Sequence, residues 1–268
     1  DQLLSLIRQS LFGRYVTILG EEAGLHFLLR FDDQTKEREA IHSLRQKRIR
    51  IVGYQDYFWE RNDQASCCFV MGYAGLKEKA MMRFIAEIED MWMKQHFEFV
   101  RPNLSMEKAY FEYLEEWGKE AKMVPFAARF QQDSFEAWLD QKKREEDPQT
   151  TPEGWVSATL FALMVDGKIA GFLHLRHDLN EHLLQVGGHI GYGIRPSMRG
   201  KGYAKIMLRL GLLEAKKLGL SKVLITADDD NPASYRTIES CGGILENRFH
   251  EEEHDVLRYW IDIQTREF

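Results

Sequence analysis

Two glycines flank a lysine in the stretch RPSMRGKGYA (residues 195–204), and arginines stand on either side of them. Gly200 and Gly202 have no Cβ atom, so a charged ligand can approach the backbone closely. Where such a stretch joins a strand to a helix, free N–H groups and the helix dipole form an anion site. The residue types therefore predict phosphate binding. The alternative, which an isolated G-x-G would favour, is a simple glycine turn.

The flanking elements have the order that an anion site requires. Upstream, GGHIGYGIRP (187–196) has the alternation of a strand, and residues 203–218 downstream have helical spacing. A buried strand of the parallel-sheet type is predicted at residues 222–227. A helix capped at Asn231 or an adjacent Asp follows, stops at Gly242 and leads into another strand. This context favours the phosphate site over the simple turn.

This order of motifs resembles the GCN5-related N-acetyltransferase (GNAT) superfamily over about residues 97–268. RGKGYA (199–204) matches its Q/R-x-x-G-x-G/A pyrophosphate motif, and NPASYRTIESCGG (231–243) its second motif, whose Asn precedes a helix beside the pantetheine arm. The resemblance implies an α/β fold with a mixed, splayed central sheet and acetyl-CoA as cosubstrate. The residues that it assigns to acetyl-CoA are Ile194, Arg199, Gly200, Lys201, Gly202, Tyr203, Ala204 and Asn231.

The resemblance also implies where the chemistry takes place. In the family, the fourth and fifth strands splay and expose backbone N–H groups to the thioester carbonyl. Here these strands are 189–194 and 222–227, with N–H groups near Ile194 as the donors. His189 stands where many relatives have Glu, and a histidine can take a proton near neutral pH. The alternative is a strand histidine held by a structural hydrogen bond, and the residues alone leave both open.

The proton donor and the acceptor site follow from the same resemblance. The family often has a Tyr seven residues after the motif Asn, but Ile238 stands there and cannot donate a proton. Ser234 is therefore expected to hydrogen-bond the thiolate sulfur, whereas Tyr235 is given no role. His177 and Tyr192 are expected to contact the acceptor, and His177 is also the second candidate for the base.

Residues 1–95 predict a smaller α/β unit, in which short strands alternate with helices. The strands are expected at 15–20, 25–31, 49–54 and 67–73, and the main helices at 36–48 and 76–95. This order resembles the C-terminal small domain of fold-type I pyridoxal-phosphate (PLP) aminotransferases, as in MocR-type regulators. Asp56 stands near where several relatives have a carboxylate-binding arginine, and the large domain with the Schiff-base lysine is missing. The resemblance therefore implies no PLP in this chain.

The domains are thus expected to be 1–95 and 96–268. At the start of the second, the sequence predicts a strand, two helices and a hairpin. The strand is 97–102, the helices are 105–121, begun by Ser105, and 133–147, capped by Asp133 or Ser134, and the hairpin turns at 166–167.

Composition narrows the class of protein. The 268 residues carry a formal charge of −6, which argues against binding nucleic acid or an anionic membrane. Cys67, Cys68 and Cys241 form no C-x-x-C pair and no metal-ligand pattern, which favours reduced thiols and a cytoplasmic location. No apolar run reaches the roughly 20 residues of a membrane helix. The chain begins inside an amphipathic helix without an initiator Met, so we expect it to be part of a longer one.

Two functional hypotheses follow. The first is an acetyl-CoA-dependent N-acetyltransferase acting on a primary amine of a small molecule that the sequence does not identify. The second is a non-catalytic acyl-CoA-sensing module of an aminotransferase-like regulator. The sequence leaves a homodimer open.

Overall fold

A computed structural model describes residues 2–22, 26–60, 66–72, 77–118, 123–251 and 254–264. The chain divides into two compact units, Asp1–His96 and Phe97–Arg266. Helices and antiparallel sheets occur in both, so the fold is mixed α/β. Four predicted element ends, at residues 25, 73, 76 and 119–121, lie outside the described residues.

The first unit has a four-stranded antiparallel sheet with the strand order β1-β2-β4-β3. Its elements are α1 Gln2–Gln9, β1 Val16–Leu19, β2 His26–Phe31, α2 Glu37–Gln46, β3 Val52–Gly53, β4 Cys68–Gly72 and α3 Glu78–His96. Ile85, Ile88 and Trp92 lie on the buried side of α3, at the spacing of one helical face. These three residues therefore belong to the core of the first unit.

The strand predicted at residues 49–54 is shorter in the structure. A 3-10 helix, Tyr54–Tyr57, follows directly after β3. The Asp56 carboxylate accepts the Gly53 N–H at 3.3 Å, which stabilises this turn and ends the strand. Asp56 therefore has a local structural contact.

The second unit contains two sheets whose ladders are all antiparallel, with orders β5-β6-β7-β8 and β10-β11-β9. Its helices are α4 Glu107–Trp117, α5 Phe135–Glu146, α6 Glu181–Gln185, α7 Tyr203–Lys217 and α8 Pro232–Ser240. Its strands are β5 Glu98–Val100, β6 Ala158–Val165, β7 Lys168–Arg176, β8 Ile190–Ile194, β9 Lys222–Asp228, β10 Ile244–Glu251 and β11 His254–Asp262.

Helices cover both faces of β7. On one face, Tyr110 of α4 and Trp138 of α5 lie with ring centroids 4.5 Å apart and contact Phe172. On the other, α7 approaches so closely that a Cβ on Gly211 would lie 2.5 Å from Leu173 Cδ1. Because successive strand residues point to opposite faces, Phe172 and Leu173 bury β7 on both sides.

The N-termini of α4 and α5 can be compared with the predicted helix starts. The start of α4 is not at Ser105: a 3-10 turn at Leu104–Met106 comes first, and Asn103 accepts the Ser105 N–H at 3.0 Å. Asn103 therefore caps the 3-10 turn that precedes α4. Of the two caps considered for α5, Ser134 is the one used, accepting the Ala137 N–H at 3.1 Å.

The two sheets meet at the edge strands β8 and β9. The His189 N–H donates to the Leu224 carbonyl at 2.7 Å, and beyond this point the two strands form no ladder within the described residues. β9 was predicted as a parallel-type strand, but its continuous ladder is antiparallel, with β11. Its apolar sequence reflects burial of Val223, Leu224 and Ile225, which does not depend on strand direction.

Candidate active site

The stretch 195–204 forms a loop that links β8 to the N-terminus of α7. Gly200 has φ +74° and Gly202 has φ +87°, a left-handed conformation that side chains rarely adopt. A Cβ on Gly200 would meet no atom within 4 Å, so the loop is open there. The first turn of α7 carries no acidic residue. The backbone N–H groups at this helix start can therefore bind an anion.

The arginine side chains of this loop make contacts within the second unit. Arg199 donates from Nε to the Ile194 carbonyl at 3.0 Å, and its guanidinium stacks 5.0 Å from the Trp117 ring centre. Arg195 is buried and pairs with Glu116, whose other oxygen accepts the Ser197 N–H at 2.6 Å. Arg199 thus shapes the loop, whereas the Lys201 side chain is exposed.

The edge of β8 that faces β9 carries backbone N–H groups that lie outside the β7–β8 ladder. Arg195 N–H donates to Ala170 and Arg176 N–H donates to the His189 carbonyl, so odd-numbered residues of this strand bond to β7. In an antiparallel pair, the residues between them direct their N–H groups the other way. The Tyr192 and Ile194 N–H groups therefore point towards the cleft between β8 and β9. The predicted donor Ile194 lies where an extended ligand could pair with the strand.

His189 occupies a structural position at the closed end of this cleft. Its side chain is 6% exposed, and its Nδ1 accepts the Leu224 N–H at 2.9 Å. Burial, with Arg176 nearby, lowers its pKa to about 4. With Nδ1 already engaged, the neutral ring carries its proton on Nε2 and cannot take another near pH 7. The geometry favours the structural alternative over the catalytic base.

The second motif lies across the cleft from β8. Asn231 caps α8 by accepting the Ser234 N–H at 3.2 Å, which settles the cap between it and the adjacent aspartates. The Tyr192 hydroxyl donates to the Ser234 carbonyl at 3.4 Å and brings these two residues together. Burial raises the pKa of Tyr192 to about 12, so its hydroxyl stays protonated. Ile238 is fully buried and belongs to the core.

His177 does not join the group formed by β8 and α8. Its Nε2 lies 2.9 Å from the Thr159 hydroxyl of β6, and its backbone N–H donates to Ser157. Because β7 separates β6 from β8, the expected acceptor contact of His177 is not supported by its position.

Sequence reasoning missed a cavity of about 490 Å³ on the face of β7 that α4 and α5 cover. His174 and Arg176 line it from β7, and Lys142 and Glu145 line it from α5. No motif marks these residues. The signal available was polar residues at alternate positions of an otherwise apolar strand, GFLHLRHD, which places them on the face of Phe172.

The described residues also bear on metal binding and on membrane insertion. No group of three or more His, Cys, Asp or Glu side chains there is arranged to hold a metal ion. In the same part of the chain, no helix combines the length and apolarity needed to cross a membrane.

A glycine loop at a helix N-terminus that continues into an open strand edge defines a class: proteins that bind an extended, phosphate-bearing ligand. Within the second unit, residues 123–242 match the model of the acetyltransferase (GNAT) family. Over these residues the second unit is similar to GNAT acetyltransferases.

Individual relatives are also acetyltransferases. The chain is 30% identical over 108 residues to a mycothiol acetyltransferase from Thermomonospora curvata, covering 40% of this chain and 33% of that protein. The chain thus spans about a third of the length of this curated relative.

Two similar solved structures have TM-scores below 0.5, so no argument rests on them. An N-acetyltransferase from Staphylococcus aureus Mu50 has TM-score 0.45 and 18% identity, covering 63% of this chain and 99% of that one. The microcin C7 self-immunity acetyltransferase MccE, in complex with acetyl-CoA and AMP, has TM-score 0.45 and 17% identity, covering 62% and 92%.

These matches bear on the two earlier hypotheses and on the first unit. All are acetyltransferases, so they give no support to a regulator module. The family match begins at residue 123, so the aminotransferase resemblance of residues 1–95 stays a prediction.

Proposed function

We propose that the chain is an acetyl-CoA-dependent N-acetyltransferase that acts on a primary amine of a small molecule. The observation that carries the proposal is the continuity of the 195–204 loop with the open edge of β8, inside the segment that matches the family. A phosphate group at the start of α7 and an extended arm along β8 would occupy one connected groove.

Binding is assigned to backbone groups more than to side chains. The N–H groups of Gly200 to Ala204 would hold the pyrophosphate, helped by the dipole of α7 and the exposed Lys201. The Tyr192 and Ile194 N–H groups would pair with the pantetheine arm as a strand partner does. Asn231 contributes by fixing the start of α8.

Stabilisation of developing charge is assigned to Ile194. Its N–H group points into the cleft and is held by the β7–β8 ladder, so it needs no reorganisation during the reaction. A donor fixed in this way can stabilise negative charge on the thioester oxygen, an effect that commonly exceeds about 100-fold in rate.

The role of stabilising the leaving thiolate is assigned to Ser234 and Tyr192. The Tyr192 hydroxyl remains protonated at neutral pH because its pKa is about 12. It would stabilise the thiolate by turning its hydrogen bond from the Ser234 carbonyl to the sulfur, and the thiolate then takes a proton from solvent. No base is assigned to His189, since its ring accepts the Leu224 N–H. The acceptor amine then loses its proton to solvent.

The proposal is tested by incubating the protein with acetyl-CoA and a panel of primary amines while free thiol is measured. We expect amine-dependent thiol release with formation of the N-acetyl product, seen by mass spectrometry. Acetyl-CoA binding without transfer to any amine would contradict the catalytic proposal, and absence of binding would contradict the assignment of the loop.

The role of the hydroxyls predicts a matched set of variants. Tyr192→Phe and Ser234→Ala should each lower single-turnover acetyl transfer about 10-fold or more, the range expected for a hydrogen bond to a charged group. Acetyl-CoA affinity should change little, because both residues act at the sulfur. Tyr235→Phe, one position along α8 and given no role, is the control. Equal rates for Tyr192→Phe and the control would remove Tyr192 from the mechanism.

A further inference from the structure

The cavity under α5 borders the same strand as the proposed acetyl-CoA groove, from the opposite face. His174 pairs with Gly191 of β8 in the ladder. Arg176 Nη2 lies 3.9 Å from the position that a Cβ on Gly191 would take. Because Gly191 has no side chain, the space beside it, between the Pro125 side chain and the Arg176 guanidinium, is about the size of one methyl group. Gly191 is therefore the point at which a small group held beside Arg176 would come close to β8.

The charges that line this cavity do not balance. Arg129, Lys142 and Arg176 are cationic, and the lining contains one carboxylate, that of Glu145. Lys142 is 8% exposed and donates to both Glu145 oxygens at 2.8 Å, so these two charges offset each other. A positive charge remains on the side of β7.

Two cations, Arg129 and Arg176, remain after that pairing, and Arg176 is the one that lies on β7. Its Nη1 donates to the Gly187 and Gly188 carbonyls at 2.9 and 2.8 Å, and among the described residues no carboxylate pairs with it. Burial lowers the pKa of Arg176, because keeping a cation without a carboxylate partner away from water costs free energy. An anion bound beside it would offset that cost.

His174 supplies a second, independent indication of a ligand. This side chain lines the cavity and its Nε2 is buried without a hydrogen-bond partner. Buried polar atoms in native proteins are nearly always paired, so an orphan in a cavity wall indicates a missing partner. Burial lowers the His174 pKa to about 3, so the neutral ring would offer a hydrogen bond and no charge.

The outer wall of the cavity is apolar. Phe126 and Trp155 line it and are both more than half exposed. A ligand that reaches Arg176 and His174 with a polar end would cover these rings with an apolar part. Cavities of this kind combine apolar walls with a few convergent polar groups.

We infer that this cavity binds the acceptor, and that the acceptor is an amine that also carries an anionic group, held by Arg176 and His174, with its amine directed to β8. This inference rests on the proposed function, because it names the class of molecule that receives the acetyl group. The anionic group is a carboxylate or a phosphate, which share the chemistry that an arginine recognises.

The test compares acceptors that differ only in the anionic group. Phenylalanine is matched with phenethylamine and with its methyl ester, and O-phosphoethanolamine with ethanolamine, each as acceptor for acetyl transfer. We expect the anionic member of at least one pair to have a kcat/KM at least 10-fold higher. The first pair reports a carboxylate and the second a phosphate.

Variants of α5 should then shift this preference in opposite directions. Glu145→Gln frees Lys142 and should raise the anionic-to-neutral ratio, whereas Lys142→Gln leaves Glu145 to repel the anion and should lower it several-fold. Lys143→Gln is the control, since Lys143 is exposed and pairs with Asp140 at the surface. A general loss of stability would lower both acceptors together and leave the ratio unchanged.

A binding experiment without acetyl-CoA tests this inference separately from the proposed function. 3-Phenylpropionate and phosphoethanolamine are titrated by calorimetry with wild type and both α5 variants, without acetyl-CoA. One outcome is an anion affinity that rises in Glu145→Gln and falls in Lys142→Gln, with no acetyl transfer to any amine. It would support the cavity as an anion site and contradict the proposed function. The opposite outcome is acetyl transfer with equal kcat/KM for anionic and neutral acceptors, and no binding of either anion. It would contradict the cavity inference and leave the proposed function standing.

Discussion

Gly202→Val should reduce acetyl-CoA affinity by at least 100-fold. Gly202 has φ +87° and caps α7, so a β-branched residue is strained there and its side chain would project beside the N–H groups assigned to the pyrophosphate. The strain amounts to about 1–3 kcal/mol, and steric blocking of the anion adds to it. Isothermal titration calorimetry with acetyl-CoA measures the change directly.

The chain offers a matched control at the other end of the same helix. Gly219 also has φ +87°, and a Cβ there would meet no atom within 4 Å. Gly219→Val should therefore show similar backbone strain in thermal unfolding while retaining acetyl-CoA affinity. Equal losses of affinity in the two variants would mean that strain alone explains Gly202, and the loop would lose its assignment as the phosphate site.

The glycine loop could be predicted from the sequence because its cause is local. Gly200 and Gly202 take positive φ values that few other residues tolerate, and the strand and helix on either side have clear periodicity. The hairpin at Asp166 and Gly167 is similar, since both residues have the positive φ values of the expected turn, 49° and 72°. Such features depend on a few adjacent residues.

Features that depend on contacts between distant residues could not be predicted. The bond from the Leu224 N–H to His189 joins residues 35 positions apart, and the periodicity of either strand is the same without it. The Lys142–Glu145 pair looks like an ordinary helical charge pair in the sequence. Only its packing above His174 and Arg176 makes it part of a cavity wall.

The splay of β8 and β9 falls between these two cases. The resemblance implied two diverging strands, and the structure separates them into different sheets after one backbone bond at His189. The side-chain bond to Leu224 lies beside that backbone bond. His189 thus fixes the point from which the cleft opens, which explains why a polar residue is buried there.

His189 therefore predicts a difference in stability between two substitutions. In His189→Asn, the amide oxygen can accept the Leu224 N–H much as Nδ1 does. In His189→Ala, that N–H is left buried without a partner, which with the space left behind costs about 3 kcal/mol. Chemical denaturation should place the Asn variant close to wild type and the Ala variant well below it.

The same histidine sets a pH dependence of stability. Its pKa is about 4 in the fold and about 6.5 in an unfolded chain, so between these values only the unfolded chain takes up a proton. Stability attributable to His189 is complete above pH 6.5 and falls by about 3 kcal/mol as the pH falls to 4. His189→Asn, which does not titrate, should lose less stability than wild type over this range.

Activity then decides between the structural role and the catalytic one. A general base contributes about 10²–10⁴-fold, and asparagine cannot replace it, so His189→Asn would lose that factor if histidine took the amine proton. We expect instead that His189→Asn retains kcat/KM within a few-fold, with the same ascending limb against pH as wild type. His189→Ala should lose activity in proportion to the loss of folded protein and of the cleft geometry. A fully folded Asn variant with a 100-fold lower rate that recovers at high pH would restore His189 as the base.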